Sequence, residues 1–518
     1  MLRDILSSYF LPILIFLTYM AYRELSSRRT RLPPGPKPLL IIGNALQIPS
    51  TSPQETFTKW IDEYGDVIYL QVFQQPMLIL NSLEAAQDLL HNRSSIYSDR
   101  PNFVLLNELM GWHNASTHVR YGPRFRRHRR FIHQTFNQRS VEDLRPIQEK
   151  EICYLIQAII NKPEKANQHL QRFTAATIMK VTYGADVKSN DDPLVQLAHR
   201  AGSLTIQSGT PAATLVDYIT VMKYIPTWAP LAGFKRNAVI VKEAVDSMFS
   251  IPYEMVKSQM ASGTFSPCLT SRLIEACSPA GVHCLSQEDE EDIKGVAGTM
   301  YAGKCGQCIS VFGTLCILST FFLAMVLHPQ VFKKAQTEMD SVIGLDRLPT
   351  FEDRSSLPYL ECVIKEVCRW NVPVPLGMPH RLMDDDVYRN YHIPKGTTVM
   401  ANIHSILHNC PQPQLFRPER YIEDPHLLDP KDVIFGFGRR RCPGRHFGDR
   451  SIWLAAASLV CTMVISRAKD DAGNEIIPER AFIDGFVHHP AEFPYSITPR
   501  SEKISMITDQ QLLCILNA

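Results

Sequence analysis

The chain has 518 residues, 45% of them apolar, which is ample for a large buried core. Lys and Arg number 54 against 52 Asp and Glu, and the resulting net charge of +2 excludes a general nucleic-acid-binding surface. The 13 cysteines are odd in number and have no spacing pattern, so they read as reduced, cytosol-facing thiols rather than a disulfide framework.

From Ile5 to Tyr22 the chain is almost wholly apolar or aromatic. At helical rise this stretch is about 27 Å long, enough to span the hydrocarbon core of a bilayer. Arg23, Arg28, Arg29 and Arg31 follow, and no small-residue cleavage site intervenes. A retained single-pass anchor is therefore predicted, with everything after residue 23 in the cytosol. Leu32-Pro-Pro-Gly-Pro36 cannot continue a helix and makes a stiff hinge. The predicted division is an anchor at 1–23, a basic and proline-rich hinge at 24–38, and a globular part at 39–518.

Val67–Phe73 and Met77–Leu80 are β-rich runs separated by Gln74-Gln-Pro76, so a hairpin is expected. Much of residues 80–330 has helical spacing. Residues 121–130, Tyr-Gly-Pro-Arg-Phe-Arg-Arg-His-Arg-Arg, place a dense cationic run on a short helix. Ser286-Gln-Glu-Asp289 reads as a capping box opening a long apolar segment that runs to His328-Pro329. Leu357-Pro358 starts a further helix in which Glu366 and Arg369 share one face.

Near the C-terminus stands Phe435-Gly-Phe-Gly-Arg-Arg-Arg-Cys442-Pro-Gly444, followed by an apolar helical segment. Each part has a use if Cys442 is a thiolate ligand to haem iron. Nearby cations hold the sulfur deprotonated. Gly436, Gly438 and Gly444 allow tight turns that aim N–H groups at the sulfur. Phe435 shields it from water, and Arg440 offers a fork of donors to a haem carboxylate.

This stretch resembles the haem-binding loop F-x-x-G-x-R-x-C-x-G of the cytochrome P450 haem-thiolate monooxygenases, matched at Phe435, Gly438, Arg440, Cys442 and Gly444. The chain is most similar to the fungal microsomal type, and the resemblance covers nearly its whole length. It implies a mainly α fold with a small β-sheet region (α+β), as one large haem domain behind a transmembrane helix. It implies haem b as cofactor, the endoplasmic reticulum membrane as location, and an NADPH–cytochrome reductase as electron donor, with cytochrome b5 as a second donor. The expected activity is dioxygen-dependent hydroxylation or oxidation of an apolar small molecule, a xenobiotic or a secondary metabolite. No flavin- or nicotinamide-binding glycine fingerprint is present, which agrees with a separate donor.

The resemblance also assigns residues. The family's W-x-x-x-R motif is met here by Phe125 and Arg129, and Arg129 is expected on a haem propionate. Arg124, Arg126, Arg127 and Arg130 would then form a positive patch for an acidic reductase. Glu366, Arg369 and Arg420 match the family's structural triad, and His380 is expected to face a propionate. Val374 to Leu376, Phe103 to Trp112, and Phe486-Val487 are expected around the substrate.

Two departures stand out. Where the family has A/G-G-x-D/E-T, whose acid and hydroxyl relay protons, this chain reads Ala302-Gly-Lys-Cys-Gly-Gln-Cys308. Residues 303–317 read as translated intron or an alternative exon, and a spliced message encoding them would refute that. Ser310 and Thr314 are poor substitutes for the relay, and Cys305 and Cys308 lack the partners of a zinc or redox site. The segment Leu407–Phe416 is also shorter than usual, which threatens the placement of Arg420. Two rival readings follow: a haem-thiolate isomerase or dehydratase or an impaired variant, and a non-catalytic haem- or lipid-binding membrane protein.

Overall fold

The computed structural model describes residues 31–208, 214–279, 284–302, 309–485 and 487–517. The expected anchor at 1–23 lies outside them. Among the described residues no single helix is long and apolar enough to cross a membrane.

The elements that position the site are numbered here in chain order. They are β1 (Val67–Val72), β2 (Gln75–Leu80), α1 (Pro123–Phe136), α2 (Arg145–Asn161), α3 (Ala166–Tyr183), α4 (Gly233–Ala261), α5 (Gln287–Tyr301), α6 (Ile309–Leu327), α7 (Pro358–Trp370), β3 (His380–Arg381), β4 (Thr398–Ala401), α8 (Ile403–His408) and α9 (Arg445–Thr462). The fold is mainly helical, with one four-stranded sheet in the order β1-β2-β4-β3 and several two-stranded ribbons. The expected hairpin forms: β1 and β2 pair antiparallel from Val67 opposite Leu80 to Val72 opposite Gln75. β1 buries Ile68 and Leu70 and leaves Tyr69 and Gln71 half-buried, whereas β2 is covered on both faces and buries Leu78, Ile79 and Leu80 in succession.

The main core lies between α2, α3, α6, α7 and α9, where Phe173, Phe321, Phe322, Leu360 and Trp453 are almost fully buried. Helix α6 is apolar on all sides because it is surrounded: Leu318, Ala324, Met325 and Val326 have no exposed surface. A second core joins α4 to the 103–115 segment, with Trp112 edge-on to Phe249 at 5.8 Å between ring centroids.

One long segment was expected from Ser286 to His328. The described residues hold two helices, α5 ending at Tyr301 and α6 resuming at Ile309, with 303–308 outside the described set. Ser286 caps α5, its Oγ accepting the Asp289 N–H at 3.1 Å. The short Leu407–Phe416 segment does not displace Arg420, whose Nε lies 3.1 Å from Glu366.

Candidate active site

The loop before α9 owes its shape to two left-handed glycines, Gly436 (φ 76°) and Gly438 (φ 52°). At Gly438 a side chain is excluded twice, since an added Cβ would lie 2.1 Å from the Leu90 carbonyl oxygen. Gly444 has φ −86° and needs no glycine for its backbone, contrary to the expectation that all three glycines permit tight turns. It stands at the start of α9, where its N–H interacts with the Cys442 sulfur.

Cys442 is 8% exposed and its own N–H donates to the Phe435 carbonyl at 2.7 Å. Burial pushes the thiol up from its ordinary range, while the Gly444 N–H and the positive charges of Arg129, Arg445 and Arg441 pull the other way. Cys442, Phe435, Gly436 and Gly444 line one cavity. Arg100, Arg129, His380 and Arg440 line it too, as do Ser116, Thr299, Met300, Gly377 and Met378.

The cations of this cavity share one property. Arg440 donates to the carbonyls of Ser98 (2.7 Å) and Val119 (2.8 Å). Arg100 donates to those of Pro379 (2.7 Å), Met378 (3.0 Å) and Thr117 (3.1 Å), and Arg129 to that of Arg441 (2.8 Å). Among the described residues none of the three meets a carboxylate at hydrogen-bond distance. Asp99, next to Arg100 in sequence, is already engaged by Arg120 at 2.8 Å and Arg381 at 3.1 Å. Burial therefore pushes Arg100 down to about 10 and lowers Arg440 as well, each worsened or eased by the other charges around it. Guanidiniums compensated only by carbonyl dipoles demand an anion, and no carboxylate lines the cavity among its described residues.

Phe125, in the place of the family's tryptophan, lies beneath Arg440 with the guanidinium carbon 3.6 Å from the ring centroid. It keeps the stacking surface and gives up the indole donor. His380 is buried and its Nδ1–H donates to the Tyr97 carbonyl at 2.8 Å. Burial, Arg100 and Arg440 hold it well below its usual range, so it offers the cavity a neutral ring that accepts.

Other expected residues lie elsewhere. Arg124 and Arg127 do not belong to a free basic patch: both pair with Asp292, at 2.6 and 3.1 Å, and Arg127 also with Asp289. The two acids are spaced to face α1 from the first turns of α5. Arg126 and Arg130 remain exposed. Thr314 borders a small void with Phe173, Thr177, Phe447 and Ser451, outside the thiol cavity, and the Ser310 side chain, Cys305 and Cys308 lie outside the described set. Val374 packs with Cys316 and Val487, while Gly377 and Met378 reach the cavity instead of Leu376. Phe103 and Val104 border a groove near the hinge, Trp112 donates to Thr205 Oγ1 at 3.2 Å, and Phe486 is outside the described set.

Glu366 and its partners form a closed unit away from the cavity. Arg369 Nε and Nη2 donate to the two Glu366 oxygens at 2.8 and 2.9 Å, and the Arg417 N–H adds a further bond at 2.8 Å. Sequence reasoning missed Arg100 and Ser116. Neither carries a periodic or motif signal, and only the burial of Ser98-Asp-Arg-Pro101 and of the 115–119 turn marks them out.

The cytochrome P450 family model matches residues 33–471. The chain belongs to the cytochrome P450 family. It is 40% identical over 502 residues to cytochrome P450 monooxygenase 176 of Postia placenta, covering 95% of both chains. It is 38% identical over 497 residues to cytochrome P450 monooxygenase claR of Ampulloclitocybe clavipes, covering 94% of this chain and 90% of the relative. It is 37% identical over 489 residues to tryptamine 4-monooxygenase of Psilocybe cyanescens, covering 92% and 94%. This P450 is thus a monooxygenase oxidoreductase of a fungal type, and its cofactor is haem b bound through a thiolate. The donor set fits that group: one buried thiol lines the cavity, and guanidiniums without carboxylate partners among the described residues line it too, where a dianion would satisfy them.

Proposed function

We propose that this P450 is a membrane-anchored monooxygenase that oxidises an apolar small molecule with electrons from NADPH, delivered by a separate reductase. One observation carries this reading: the cavity joins the Cys442 thiol to three guanidiniums that lack carboxylate partners among the described residues. Haem b, when bound, supplies the activation of dioxygen. Cys442 would hold the iron through its sulfur, and the surrounding arginines would stabilise its thiolate. Arg440, Arg129 and Arg100 would hold the propionates, with His380 on the same cavity wall. Phe435 keeps water from the sulfur. Glu366, Arg369 and Arg420 hold the fold around the loop rather than touch the chemistry.

Bilayer attachment has support beyond the N-terminal apolar run. Leu40 and Ile41 are 78% and 60% exposed and share a groove with Tyr218 and Thr220. Trp228 and Leu231, 83% and 77% exposed, follow in the same connecting segment. Exposed apolar groups beside a membrane anchor suit a lipid surface. Exposed Arg126 and Arg130 suit an acidic electron donor. An apolar substrate suits the aliphatic and aromatic part of the cavity wall, Ile132, Met300, Ile403, Ile434 and Phe435.

The test is the ferrous carbon monoxide difference spectrum of the expressed protein and of Cys442→Ala. The wild type is expected to show the thiolate signature and the variant to lose it; a variant that keeps both the signature and turnover would refute the reading. A second reading is favoured by the missing acid and hydroxyl of the central helix: a poorly coupled enzyme, or one that rearranges peroxides. Hydrogen peroxide released per NADPH consumed separates the two.

A further inference from the structure

Between the cavity and α5 runs a line of three polar side chains that the reading above leaves unused. Ser116 lines the cavity, and its Oγ is 2.9 Å from His128 Nδ1. His128 Nε2 is 3.1 Å from Asp292 Oδ1. Ser116 is 6% exposed, and His128 and Asp292 not at all. Helix α5 reaches this line because residue 295 is glycine: an added Cβ would lie 2.3 Å from the Asn114 carbonyl oxygen and 3.2 Å from His128 Cε1.

The hydrogen-bond directions follow from the charges. Arg124 and Arg127, on the same helix as His128, pair with Asp292 and keep it a carboxylate. Asp292 can then only accept, so His128 Nε2 carries a proton and Nδ1 is bare. The Ser116 hydroxyl donates to Nδ1 and turns an oxygen lone pair to the cavity. The titratable groups that act most strongly on His128 are Asp292, Arg124 and Arg127. Two neighbouring hydroxyls are spoken for. Thr299 Oγ1 donates to the Gly295 carbonyl (2.6 Å) and accepts the Ser116 N–H (2.7 Å). Thr117 meets His118 at 3.0 Å, and no hydrogen bond leads from His118 to a carboxylate among the described residues.

We propose that Ser116, His128 and Asp292 form a proton-transfer chain whose cavity end is the Ser116 hydroxyl, serving where the central helix lacks its acid and threonine. An acid in the cavity passes its proton to Ser116 Oγ as the existing Oγ–H proton moves to His128 Nδ1. The acid–H and original O–H bonds break, new Oγ–H and Nδ1–H bonds form, and the imidazolium rests on Asp292. The reverse passage returns one proton to a base in the cavity, and no electrons change hands. Ser116 touches the reacting group, whereas His128 and Asp292 act through it.

This inference rests on the cavity being the haem site, and the test separates the two. The probe is cyanide added to the ferric haem-loaded full chain, because hydrogen cyanide must surrender a proton to a base in the cavity before it binds as the anion. Association is followed by absorbance across pH 6 to 9 with no turnover. Ser116→Ala and His128→Gln are expected to slow association by at least about tenfold, a threshold set below the roughly 100-fold or more typical of general acid–base effects. Ser116→Thr is expected to restore it and Thr117→Val to leave it unchanged. Ser116→Ala leaves the His128–Asp292 pair intact, so a folding defect in His128→Gln does not decide the matter. Haem-loaded Ser116→Ala that binds cyanide at the wild-type rate overturns the chain and leaves the haem assignment standing. A wild-type protein that binds no haem overturns both.

Discussion

Glu366 has no exposed surface and is answered by Arg369 and Arg420, themselves 1% and 3% exposed. Such a unit is mutually dependent, since removing the acid strands two buried cations. Glu366→Gln is expected to cost about 3–5 kcal/mol in denaturant unfolding and to release haem, whereas an exposed pair of the same spacing costs about 0.3 kcal/mol. Histidines make a different residue-scale contribution. His404 and His408 stack with ring centroids 4.0 Å apart on α8. Burial and nearby positive charge push them down to about 4 and about 3, His408 most directly through His404. The unfolded chain takes up these protons below about pH 6.5 while the native state refuses them. Stability is thus complete above that pH and falls as pH drops toward 4, by at most about 1.4 kcal/mol per unit for each group. His408→Gln is expected to flatten that slope in pH-dependent unfolding; an unchanged slope would show that other groups control acid sensitivity.

At the scale of elements, the contact between α4 and α5 is set by one missing side chain. A Cβ at Gly298 would fall 1.8 Å from Phe249 Cδ1, inside the ring. Gly298→Ala is expected to lower stability by about 1–3 kcal/mol through overpacking, despite alanine's better helix propensity. Phe249→Leu placed in the same chain should recover part of that loss, which thermal unfolding of the double variant would detect. The same approach of α5 brings Asp289 and Asp292 onto α1 and removes Arg124 and Arg127 from the basic surface. A helical wheel of residues 121–130 shows which arginines share a face; it does not show that an acid reaches Arg124 from 168 residues away.

For the whole molecule, the proposed bilayer attachment assigns the exposed apolar groups near the hinge and the N-terminal run to one lipid surface. Full-length chain is expected to float with phospholipid vesicles, and a chain beginning at residue 24 to float more weakly. Adding Leu40→Ser and Ile41→Ser to the shortened chain should abolish flotation; equal flotation of all three would refute a lipid-facing role for the groove.

Much was legible in the sequence because it depended on local spacing. Glycines and cations around Cys442 fall within ten residues, the β1–β2 hairpin follows from two β-rich runs and a turn, and Glu366 and Arg369 are one helical turn apart. These patterns act through bonds and faces that adjacent residues fix by themselves. Arg100, Ser116 and the fate of Arg124 were decided only by tertiary packing. Their roles depend on which carbonyls and carboxylates come within 3 Å or so in the folded core, and elements hundreds of residues apart determine that. Local sequence could nominate Cys442 as a metal ligand; only the fold could show which charges around it were left without carboxylate partners among the described residues.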